Sequence, residues 1–91
     1  MYKYNEYNSG NLVEELMFST KKEAREYLNK KVKEVKAENK ELKTYFQESN
    51  NFYSVKDLRL ASDIKAEENG LKDLGDEEPT YYFEITEIEE I

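Results

Sequence analysis

Eleven carboxylates fall within residues 63–91 against two basic side chains, Lys65 and Lys72, a local balance of −9 in a chain whose total is −7. Residues 1–62 carry the other ten acids against twelve Lys and Arg, a balance of +2. Carboxylates at this density can hold a cation, share protons in acid–base catalysis, or present an anionic field to a partner. A calcium loop requires Gly at its sixth position and a bidentate Glu at its twelfth. The stretch Asp73 to Glu84 has Glu78 at position six and Pro79 at position seven, so no metal site is expected. Paired carboxylates for glycoside chemistry need a cleft that raises the pKa of one of them, and a chain of 91 residues has little room for it.

The absence of Cys and His removes thiolate catalysis, disulfides, cysteine or histidine metal ligation and imidazole acid–base chemistry. Gly10, Gly70 and Gly75 are scattered and form no phosphate-cradling loop. An enzyme is not expected, and neither is a cofactor.

Residues 20–46 hold nine Lys and Arg against five Glu, with Tyr27, Tyr45 and Phe46 interleaved. That pattern could suit nucleic acid, but Glu23, Glu26, Glu34, Glu38 and Glu41 run through the same stretch as in a solvated helix. The −9 segment repels phosphates, so direct nucleic-acid binding is not expected. The opposite relation fits better. Carboxylates at two-residue spacing along a strand lie roughly 6.6–7 Å apart, comparable to the phosphate repeat of one nucleic-acid strand. The residues expected to meet a partner are Asp76, Glu77, Glu78, Tyr82, Glu84, Glu87, Glu89 and Glu90, with Tyr82 and Tyr81 as aromatic anchors.

In size and charge the chain resembles the DNA-mimicking anti-restriction and anti-CRISPR proteins of phages and mobile elements, a resemblance of class that transfers no site residues. It implies a non-enzymatic inhibitor whose partner is a basic protein, such as a nuclease or effector complex with a nucleic-acid cleft. The alternative is a general protein-interaction or regulatory module. An acidic segment that merely offsets the basic helix is the bland rival to both.

Positioning these groups requires a folded scaffold. Hydrophobic and charged content, 37 % and 38 %, sit near the border with disorder, but eight Tyr and four Phe supply an aromatic core. One domain spanning 1–91 is expected. No apolar run is long enough for a membrane, and Met1-Tyr2-Lys3-Tyr4-Asn5 is unlike a signal peptide, so a cytoplasmic location is expected.

Alternation at Tyr2 and Tyr4, the turn Asn8-Ser9-Gly10-Asn11, and Leu12, Leu16 and Phe18 predict a hairpin over 2–18, with a short helix at 12–17 as the competing reading. Thr20-Lys21-Lys22-Glu23 is a capping box. Ala24, Tyr27, Leu28, Val32, Val35, Leu42, Tyr45 and Phe46 then predict one long amphipathic helix over 20–46, about 35–40 Å in length. Leu28, Val35 and Leu42 at seven-residue spacing offer a homodimer seam, but Lys31 and Glu38 between them favour a helix laid across a sheet. A strand is predicted at 52–60, where a capping-box pattern at Ser54–Asp57 competes, then a loop with a helical turn over 63–74, an exposed acidic turn at 75–79, and a strand from Thr80 with a bulge or an end near 86. The fold class expected is α+β, a small antiparallel β-β-α-β-β sheet with the long helix on one face. Its core would hold Tyr4, Leu16, Phe18, Leu28, Val32, Val35, Phe83 and Ile85.

Overall fold

Ser9 and Gly10 have φ of 51° and 83°, two successive positive values that turn the chain between paired Asn8 and Asn11. A two-residue loop of this kind matches the twist of the strands it joins. In a computed structural model, which describes residues 1–89, it connects β1 (Tyr2–Asn8) to β2 (Asn11–Phe18). There follow α1 (Lys21–Glu38), β3 (Leu42–Ser49), β4 (Tyr53–Leu60), α2 (Ala61–Glu68), a 3₁₀ turn at Leu74–Asp76 and β5 (Tyr81–Glu87).

The five strands form one antiparallel sheet in the order β2-β1-β5-β4-β3. The last strand in sequence is therefore the middle one in space. β5 pairs with β1 and β4 without a register break, so the phase slip expected after Ile85 is the end of the strand rather than a bulge. Bulges fall instead at Glu6/Tyr7 against β2 and at Thr44/Phe46 against β4.

Helix α1 starts where the capping box predicts, with Thr20 Oγ1 accepting from the Glu23 amide at 3.2 Å. The Glu23 carboxylate takes the Thr20 hydroxyl proton at 3.0 Å rather than reaching the cap's amide. The helix packs Ala24, Leu28, Val32 and Val35 onto Tyr4, Leu42, Leu58, Phe83 and Ile85 of the sheet. Leu28 and Val35 of the seven-residue series are thus buried against the sheet.

Three expectations need correction. First, α1 spans 18 residues rather than continuing to 46. Asn39 leaves helical geometry at φ −134° and ψ 96°, and its side chain accepts from the Glu41 amide at 3.0 Å. That local bond competes with another helical turn, and the run Thr44-Tyr45-Phe46 suits a pleated surface, so Leu42, Tyr45 and Phe46 belong to β3. Second, Leu16 is 36 % exposed and Phe18 only half-buried, because β2 lies at the sheet edge beyond the full cover of α1. Third, residues 61–68 form a helix proper, after which Leu74 is fully buried and Leu71 exposed. The order is therefore β-β-α-β-β-α-β, with a fifth strand and a second helix added to the expected plan.

Candidate acidic interface

Paired residues of neighbouring antiparallel strands share a face, and the side-chain direction reverses at each step. Tyr4 pairs with Ile85 beneath α1, whereas Asn5 pairs with Glu84 and Tyr7 with Tyr82 on the opposite face. Asp57 pairs with Tyr82, which puts it and Arg59, two residues on, on that same opposite face.

There Arg59 organises the acidic segment. Its guanidinium binds Asp57 through two contacts of 2.7 and 3.1 Å, donates to the Leu74 carbonyl at 3.2 Å and stands 5.1 Å from the Tyr45 ring centroid. Both charged partners are buried, and the Asp57 bond raises the Arg59 pKa further. Glu67 accepts from the Tyr45 hydroxyl at 2.6 Å and from the Leu74 amide at 2.7 Å. Lys72 ties Asp63 at 3.0 Å to Glu77 at 3.5 Å. These contacts fix residues 61–77 to the face of the sheet that α1 leaves bare.

The predicted interface residues divide into two groups. Asp76, Glu77 and Glu78 are exposed in the turn that enters β5, close to the β1–β2 hairpin: the Ser9 amide donates to the Thr80 carbonyl at 3.0 Å, and a Cβ on Gly10 would collide with the Glu78 carboxylate. Tyr82 and Glu84 lie beside them, half-buried rather than fully exposed. Tyr81 takes the other face and packs against the core. Glu87 is exposed at the far end of β5, roughly 20 Å along the strand from Tyr81, and on the α1 face because three steps from Glu84 reverse direction. Glu89 is exposed beyond it, and Glu90 lies outside the described residues. A single carboxylate ladder along β5 is therefore not formed; the acidic group is the turn plus Tyr82 and Glu84.

Sequence reasoning missed Asn5, Tyr7 and Gly10, which β1 and its turn bring to this group. Glu84 Oε1 accepts from Asn5 Nδ2 at 3.0 Å and from the Tyr7 hydroxyl at 3.4 Å. Desolvation, with the Glu84 charge adding to it, pushes both the Tyr7 and Tyr82 phenols above their ordinary values, so both stay neutral. Only the strand register joins residues this far apart in sequence, and no local motif announces it.

Among the described residues no ion pair joins an α1 lysine to an acid of the 63–89 segment; Lys31 instead reaches Glu6 and Glu34, each at 3.9 Å. Nor do three carboxylates among them converge as metal ligands. A second hollow of about 330 Å³ opens on the α1 side, between Arg25 and Asn29 of the helix and Gln47, Ser49, Ser54 and Lys56 of the β3–β4 hairpin. Leu28, Val55 and Ile85 also line it, and it lies away from the acidic turn. Among the described residues no helix is long and apolar enough to cross a membrane. A scan against protein-family models and searches of curated proteins and of solved structures found no match.

Proposed function

We propose that this chain is a non-enzymatic acidic inhibitor that blocks a basic, nucleic-acid-binding cleft of another protein by presenting carboxylates where phosphates would lie. A host defence nuclease in a bacterial cytoplasm, met by a phage- or mobile-element-encoded chain, is the setting that suits such chemistry. One observation supports the reading above others: charge is separated across the sheet rather than cancelled within the molecule. Helix α1 holds seven Lys and Arg and four Glu, a balance of +3, on one face. Residues 63–84 hold eight acids and two lysines, a balance of −6, and the part that Arg59 anchors lies on the other. An acidic segment serving only to offset the helix would be paired with it.

Association through such a face is steered by charge and weakens with added salt. The test is capture of partners from a bacterial extract on the immobilised chain, with and without excess duplex DNA, beside a variant carrying Asp76→Lys, Glu77→Lys and Glu78→Lys. The expected result is a nucleic-acid-binding protein that DNA displaces and the folded triple variant fails to retain. A partner held equally well in the presence of DNA would make the chain a general interaction module instead, and full retention by the triple variant would remove the acidic turn from the binding site.

A further inference from the structure

Tyr7, Gly10, Pro79, Tyr82 and Glu84 enclose an open hollow of about 290 Å³ on the face of the sheet opposite α1. Its walls are rings: the Tyr7 and Tyr82 centroids stand 6.1 Å apart with planes inclined at 50°, and Pro79 adds an apolar edge. Its one charged lining group is an acceptor, the Glu84 carboxylate. The hydrogen bonds from Asn5 and Tyr7 both end on Glu84 Oε1, and none among the described residues ends on Oε2. Glu78 brings a second carboxylate to the rim beside Gly10. Asn5, only 8 % exposed and paired across the strands with Glu84, carries the one buried side-chain atom among the described residues without a hydrogen-bond partner, the acceptor Oδ1. Two cations of this face are already engaged, Lys3 by Glu15 at 3.3 Å and Arg59 by Asp57 at 2.7 Å.

An apolar, aromatic hollow with the Glu84 carboxylate in its lining suits a flat, weakly hydrated cation on an aliphatic stem. A small metal ion would want a shell of oxygens in place of rings. An ammonium is compact and strongly hydrated, whereas a guanidinium stacks on tyrosine faces and offers five donors in one plane. We propose that this hollow receives an arginine side chain projecting from the basic partner, its guanidinium against Tyr7 and Tyr82 and its N–H groups donating to Glu84. The inference rests on the acidic-interface reading and names the group by which the partner is gripped. The Asn5 and Tyr7 bonds hold Glu84 Oε1, which leaves its second oxygen for the guest.

The test is an NMR titration of the isotope-labelled full chain with an acetylated Gly-Arg-Gly amide, and with its citrulline counterpart, which keeps shape but lacks charge. Shifts of the Tyr7 and Tyr82 ring signals are expected with arginine and not with citrulline. Glu84→Gln keeps an acceptor for Asn5 and Tyr7 and should weaken the arginine peptide roughly tenfold, as should Tyr82→Ala, whereas Tyr82→Phe retains binding. Equal binding of citrulline, or unchanged affinity in folded Glu84→Gln, overturns the assignment. Absence of peptide binding while DNA still displaces a captured partner overturns the pocket alone. Normal peptide binding with capture indifferent to DNA overturns the mimicry reading alone.

Discussion

Arg59 shows how a single side chain decides whether the acidic segment has a shape. Residues 69–80 contain no regular element except one 3₁₀ turn, and their middle is held by the buried Leu74 side chain, the Arg59 bond to the Leu74 carbonyl and the Glu67 bond from α2 to the Leu74 amide, and their end by the Ser9 amide on the Thr80 carbonyl. Removing the guanidinium leaves Asp57 buried without its cation, a loss on the order of 3–5 kcal/mol. Arg59→Ala should therefore lower the stability measured by chemical denaturation by about that amount. The double substitution Asp57→Leu with Arg59→Met should recover most of it, because the ion pair offers stability mainly by not being broken. Recovery of stability without recovery of partner binding would separate the fold from the presentation of the carboxylates.

At the scale of elements, the central position of β5 overturns the idea of an acidic appendage on a finished scaffold. Phe83 and Ile85 are fully buried between β1 and β4, so the strand that carries Tyr82 and Glu84 is also the strand that closes the sheet. Amide hydrogen exchange should find β5 among the most protected elements and the edge strands β2 and β3 among the least, since β5, like β1 and β4, is bonded on both sides and the edge strands on one only. Faster exchange in β5 than in β2 would contradict this arrangement.

Much of this was legible in the residues. The capping box gave the start of α1, the turn around Gly10 gave the first hairpin, and alternation gave β4 and β5. The far half of the predicted helix was not legible, because Leu42, Tyr45 and Phe46 continue the helical spacing of Leu28 and Val35 with no Gly or Pro between them. The competing signal was present in Asn39 and in the Thr44-Tyr45-Phe46 run, but it is decided by a tertiary fact: β4 has a free edge that β3 can satisfy. The site divides in the same way. Glu78, Tyr82 and Glu84 stood out by charge and aromaticity, whereas Asn5 and Tyr7 join them only through pairing across the sheet.

For the whole molecule, the sheet divides two surfaces of unlike sign and also ends in two uncapped strands. β2 carries Leu12, Val13, Leu16 and Met17 largely open to solvent, with neither Lys nor Pro within the strand to discourage a neighbour. If two copies met there antiparallel, Val13 would face Leu16 and Leu12 would face Met17, but Glu14 would face Glu15 on both sides of the join. Repulsion at that join, reinforced by a net charge of −7, opposes such pairing near neutral pH. Acidification towards the isoelectric value of about 4.7 withdraws the net charge. Solutions should then turn turbid with a rise in thioflavin fluorescence, and Val13→Lys should suppress it; clear solutions at that pH would show the edge to be guarded in some other way. The same two glutamates that make β2 a poor match for itself thus act, together with the net charge, as a colloidal brake.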